Sequence, residues 1–317
     1  GLYSGSDMVF RSANTIIGDA HYYANGNFRV EKLDGSIGNL ESPTDPIIRS
    51  SGNVDLGVYL GRSLHIIAGG KVTIGAAQIT NADTTNNSIN PNNPQTQSLA
   101  NVTLSSGKSL IIDGSAKPTL DIRAGVDSTI IGTSGITPVA TTTGSRPTCA
   151  NGNSISCYFN SAFTTRVIPV IPSSSSNPTE SGITIGKINI QRPDAVVLLT
   201  NNYMPNTSLT GNSDITITGT GPATLPIAGI SLVPTGSINS IVNGGSLYID
   251  SRSNIVMHPN TLILTSSTLA DANAGNIDLL AKNQINLGQN VQIKADGTNL
   301  GGQINLISSG TISTQGL

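Results

Sequence analysis

A short pattern, Gly-x-(Ile/Leu/Val)-x-(Ile/Leu), recurs along most of this chain and limits its possible folds more than any other feature. The clearest copies are Gly245-Ser246-Leu247-Tyr248-Ile249, Gly275-Asn276-Ile277-Asp278-Leu279 and Gly302-Gln303-Ile304-Asn305-Leu306, which start 30 and 27 residues apart. Between them lie Ile255-Val256-Met257 and Leu262-Ile263-Leu264, then Ile285-Asn286-Leu287 and Val291-Gln292-Ile293, and then Ile312. Alternating apolar and polar residues put one row of side chains on one face of an extended chain. Segments this short cannot make an independent sheet. Helix is disfavoured, because Gly, Asn and β-branched residues are abundant. Three short strands per group, recurring every 27 to 30 residues, predict a coil whose turns stack in parallel about 4.8 Å apart. Ile, Leu and Val fill the inside, Ser, Thr, Asn, Asp and Lys face out, Gly supplies positive-φ corners, and Asn forms amide ladders between turns. The expected fold is all-β, a parallel β-helix (β-solenoid) with three short strands per rung.

The same signal runs through the earlier sequence with less even spacing. It includes Gly26-Asn27-Phe28-Arg29-Val30, Gly52-Asn53-Val54-Asp55-Leu56 and Gly70-Lys71-Val72-Thr73-Ile74, then Val102 to Leu104, Leu110 to Ile112 and Leu120 to Ile122. Further copies are Ile183 to Ile185, Ile188 to Ile190, Val196 to Leu199 and Ile215 to Ile217. Residues 81–98 break the pattern with a polar Asn/Thr/Pro run, read as a loop leaving the coil. Residues 133–181 form a longer inserted excursion. A solenoid tolerates such loops at its corners. The chain, 1–317, is therefore expected to be one continuous solenoid of about nine or ten rungs, a rod of roughly 45 Å. Nothing reads as an end cap or a leader, and the expectation is a piece of a longer protein.

Composition narrows the function. Charged residues are 11% of the chain and net charge is −2, against about 25% charged in an ordinary domain. A surface of Ser, Thr and Asn lacks the electrostatic footprint of a nucleic-acid binder, and no apolar run approaches the length for membrane insertion. Cys149 and Cys157 lie in a Gly/Asn/Ser-rich stretch without nearby His, which argues against zinc. They are either free thiols or a local disulfide, and a disulfide implies an oxidising location. Tyr158, Phe159 and Phe163, in the same excursion, are candidate binding residues, because loops on rigid scaffolds carry recognition. Tyr22, Tyr23 and Phe28 are expected to pack in the core.

Parallel β-helices also host polysaccharide lyases and hydrolases, whose chemistry needs clustered carboxylates. The 18 acidic residues here are scattered. Asp113, Asp121 and Asp127, with Lys117 and Arg123, come nearest to a cluster, and a solvated rung surface is the expectation for them. His21, His65 and His258 lack metal-ligand spacing, and His65, between Leu64 and Ile66, should face solvent. No catalytic residue, metal or cofactor is expected.

Several segments resemble the filamentous-haemagglutinin-like large exoproteins exported by two-partner secretion. They are Ile17-Gly18-Asp19-Ala20-His21-Tyr22, Phe28-Arg29-Val30-Glu31 with Leu33-Asp34-Gly35, Asp45 to Gly52, Leu60 to Ile66, Val197 to Tyr203 and Gly275 to Ala281. The resemblance implies a right-handed rod, a secreted or cell-surface location outside a Gram-negative-type outer membrane, and an outer-membrane pore as export partner. It also implies roles in adhesion, aggregation or biofilm, with surface glycans or proteins as partners. The family's secretion-domain motifs are missing, so the segment is expected to be shaft. The alternatives are a β-helix polysaccharide lyase or hydrolase, and the inert stalk of a contact-dependent toxin.

Overall fold

The computed structural model describes residues 1–315 except 45, 86–87, 95, 128, 130, 132–177, 226, 236–241, 268 and 270. Each copy of the repeat forms a strand that pairs in parallel with the copy one rung away. The first face is a sheet of nine strands: Leu2–Ser4, His21–Ala24, Ile47–Ser50, Leu64–Ala68, Thr119–Arg123, Val196–Thr200, Ser246–Ser251, Ile277–Ala281 and Ile304–Ser308. A 14-stranded sheet wraps the other two sides. Its main path, from Met8–Arg11 to Ile312–Thr314, is the second face. Its shorter strands, including Leu40–Ser42, Gly229–Ser231, Leu262–Leu264 and Gln292–Lys294, belong to the third. This is a three-sided parallel β-helix. The nine rungs among the described residues span about 40 Å.

The alternating pattern fills the coil with stacked side chains. On the second face Met8, Phe28, Val54, Val72, Ile183, Ile215, Ile255, Ile285 and Ile312 follow one another in register, one per rung. Burying each of these side chains except Ile312, which is exposed at the last rung, stabilises the stack by about 1.5–3 kcal/mol. Phe10, Tyr22 and Phe28 widen the core near the first rungs, with ring centroids 5.3 to 5.8 Å apart. Tyr22 and Phe28 are core residues, as the sequence implies, but Tyr23 points outward from the first face and packs against a second apolar cluster.

Three eight-residue strands, Val54–Gly61, Val72–Ile79 and Ile183–Ile190, run from the second face into the third without a break. They turn at Gly57, Gly75 and Gly186, which the register places over one another. The backbones approach closely here: a Cβ on Gly75 would lie 2.8 Å from the Gly57 carbonyl oxygen.

Two expectations need correction. Glycine supplies only some of the positive-φ positions: Gly35, Gly107, Gly125, Gly219, Gly221 and Gly229 adopt it, and so do Asp194, Asn260, Asp271 and Asn290, at 55° to 61°. Short polar side chains tolerate this conformation. Asn290 also donates to Asn260 at 3.0 Å, and an amide ladder links Asn299 to Asn273, Asn273 to Asn243 and Asn243 to Asp194.

The second correction concerns Val102 to Leu104 and Leu110 to Ile112, which are not rungs of the coil. Asn101–Thr103 and Ser109–Ile111 pair antiparallel as a hairpin, preceded by the short helix Gln97–Ala100. Alternation reports a strand but not its partner. The chain between Ile79 and Thr119 folds back over the outer side of the first face as a brace. Under it lies the second cluster, in which Ile47, Ile67, Leu198 and Leu280 of the sheet meet Ile89, Leu99, Val102, Leu104, Leu110 and Ile112.

Candidate functional site

The densest polar chemistry among the described residues lies beneath this brace. Alternation turns Leu64 and Ile66 inward and His65 outward; the next strand does the same with Leu120, Asp121, Ile122 and Arg123, and the register sets His65 beside Asp121. His65 Nδ1 lies 3.2 Å from Asp121 Oδ2, and His65 Nε2 lies 2.7 Å from the Ser88 hydroxyl of the brace. Arg123 donates Nε and Nη2 to the Asp121 carboxylate at 2.9 and 2.8 Å, and Nη2 also to the Leu99 carbonyl at 2.8 Å. The guanidinium lies 4.3 Å from the centre of the Tyr203 ring.

Burial alone would raise the Asp121 carboxyl, but the Arg123 charge and hydrogen bonds from His65 and Arg123 outweigh it and hold it below the usual carboxylate range. Burial works against the Arg123 guanidinium too, and the Asp121 charge holds it above its ordinary value. Arg49, next but one along the same outer row, is pushed down to about 10 by burial and by the neighbouring Arg123 charge.

A serine hydroxyl, an imidazole and a carboxylate at these separations have the order of a nucleophile–base–acid relay. Such a relay also needs room for a substrate atom near the nucleophile. Here Ser88, His65 and Asp121 are all 0% exposed, and the Gly114 backbone occupies the space beside Ser88 Oγ and His65 Nε2. The arrangement is a clasp between brace and shaft. Further contacts extend it. Ser63 donates to the Gly114 carbonyl at 2.8 Å. The Ser105 amide and hydroxyl donate to Asp250 at 2.8 and 2.7 Å, and Lys108 Nζ donates to Asp278 at 2.8 Å over the Tyr248 ring.

The structure thus sorts the residues singled out from sequence. His65 faces away from the coil as expected, but it meets the brace rather than solvent. Asp121 and Arg123 come together with it. Asp113 and Asp127 do not: each accepts bonds from residues just after it, Ser115 and Ala116 for one and Thr129 for the other. His258 is exposed and His21 half-buried. Cys149, Cys157, Tyr158, Phe159 and Phe163 lie outside the described residues. Ser88 carried no signal, because it sits in a polar run that reads as an open loop. Among the described residues no group of His, Cys, Asp and Glu is placed to hold a metal, and no helix is long and apolar enough to cross a membrane. No family model, curated protein or solved structure matches the chain.

Proposed function

We propose that the chain is a non-catalytic shaft segment of a secreted or cell-surface adhesin that reaches the exterior through an outer-membrane two-partner-secretion pore. One observation carries the reading: the aliphatic stack runs through nine rungs in register, which makes a stiff spacer with long polar sides. Such a spacer holds weak binding surfaces away from a cell and repeats them, so that many contacts add. The architecture also suits export as an extended chain, because each rung pairs with the one before it and folding can advance from an end. The resemblance of Val197 to Tyr203 and Gly275 to Ala281 to exoprotein repeats supports the same assignment.

The test uses beads coated with the purified chain. Adherence to host cells or to glycan-coated plastic several-fold above beads carrying the urea-unfolded chain is the expected outcome. Equal adherence of the two would remove the adhesive role. Pectin and alginate incubated with the same protein should yield neither unsaturated products nor new reducing ends; either product would make the chain a polysaccharide lyase or hydrolase.

A further inference from the structure

We propose that a groove on the outer side of the third face binds an acidic saccharide, with one hexuronate unit seated against Asn189 and Arg192. The groove holds about 240 Å³, and its polar walls are Gln78, Thr80, Asn189, Gln191, Arg192 and Thr235. That is below the range of pockets for drug-sized ligands and suits a single sugar ring of a longer chain.

The register builds the floor. Gln78, Asn189 and Ser231 come from three successive rungs and share one outward row. Asn189 is only 7% exposed, yet its side-chain amide makes no hydrogen bond to any described residue. Most buried amides are paired; this one keeps its polar atoms open to the groove, where a ligand can reach them. A carboxamide offers two donors and an acceptor in one plane, which matches the neighbouring hydroxyls of a pyranose.

Arg192 supplies the charge preference. Its Nε donates to the Thr80 carbonyl at 2.6 Å, which fixes the plane of the guanidinium. Its two terminal nitrogens have no partner among the described residues. A held guanidinium with free outer N–H groups is suited to bidentate carboxylate binding. The nearest acid in sequence, Asp194, is engaged with Asn243 at 3.0 Å. Lys187, two positions before Asn189, donates only to the carbonyls of Pro222 and Leu225, at 3.0 and 2.7 Å. Lys187 does not line the groove, so Arg192, a cation without a carboxylate partner among the described residues, is what favours a uronate over a neutral hexose. This inference does not depend on the shaft reading, since a chain that fails to adhere to cells can still bind the sugar.

Isothermal titration of the whole chain with tri-galacturonate, and with a neutral trisaccharide of the same length, tests the site. A ligand of this size should bind with a millimolar or tighter constant, and the neutral sugar at least fivefold more weakly. Arg192→Leu should abolish the preference for the acidic sugar, while Asn189→Leu and Gln78→Ala should weaken both sugars at least fivefold. Circular dichroism identifies the variants that keep the fold; Arg192 is exposed, so its replacement leaves the rung stack intact. No saturable heat with tri-galacturonate would overturn the proposal, as would binding indifferent to all three substitutions. Equal binding of the two trisaccharides, or complete displacement by equimolar sulfate, would also overturn it, the latter by reducing the groove to a plain anion site.

Discussion

At the residue scale the clasp around Asp121 carries the sharpest energetic consequence. Arg123 is fully buried, and its charge is tolerated because Asp121 sits against it. Breaking a buried pair from one side costs about 3–5 kcal/mol. Asp121→Asn keeps the shape and removes the charge, and urea unfolding should show a loss of that order. The dependence on pH follows from the lowered Asp121 carboxyl. A carboxyl held below its unfolded value adds stability that is complete above about pH 4. That stability drains as pH falls through the lower folded value. Melting temperatures recorded from pH 7 down to pH 2 should therefore carry an acid-side drop that is smaller in Asp121→Asn, with Glu31, Asp34 and Asp127, also held low, keeping part of it. If the substituted chain kept the same drop, the clasp would have no part in acid unfolding.

At the element scale the bent strands turn on glycines for want of space rather than for an unusual φ. A Cβ on Gly186 would run into the carbonyl oxygens of Gly75 and Thr220, so Gly186→Ala must push two rungs apart, at about 3 kcal/mol. Gly107, in the hairpin of the brace, has φ +84 and open space around it. Gly107→Ala should cost about 1–2 kcal/mol through backbone strain alone. Urea midpoints of the two variants would reverse in order if crowding at the corner were unimportant. These elements also show what the sequence makes legible. Rows such as Ile255, Ile285 and Ile312 could be read directly, because strand burial has a period of two and the last rungs recur every 27 to 30 residues. The hairpin from Asn101 to Ile111 could not, since its alternation matches a rung and only the antiparallel partner tells them apart. The clasp was half visible: the outward turn of His65 and Asp121 follows from Leu64 and Leu120 pointing inward. The approach of Ser88 depends on the path of the brace, which nothing local encodes.

At the scale of the whole molecule the brace changes what kind of solenoid this is. Where each rung touches only its neighbours, stability is a sum of local terms, and one end can open without the other. The brace crosses that arrangement. It holds His65 and Arg123 through Ser88 and Leu99, and it reaches Asp250 and Asp278 through Ser105 and Lys108, contacts separated by 145 and 170 residues in sequence. Rungs in the middle of the shaft are thereby tied to rungs near its far end, and unfolding should be cooperative across them. During synthesis or export the brace cannot complete these contacts until Asp278 has been placed, so its docking should lag behind the rungs that precede that strand. The Asp250→Asn, Asp278→Asn double variant removes the far attachments and leaves the inner stack untouched. Asp250 and Asp278 are buried, at 2% and 5% exposure, and their charge-assisted bonds are worth about 1.5–3 kcal/mol each, so the global melt should fall by several degrees. Hydrogen exchange should change more: amides of 101–111 and of the strands from 277 onward should exchange at least tenfold faster, while those of Val54–Gly61 and Val72–Ile79 keep their rates. Uniform acceleration along the shaft would mean that the rungs were already coupled without the brace, and unchanged exchange in the hairpin would mean that its apolar underside holds it down unaided.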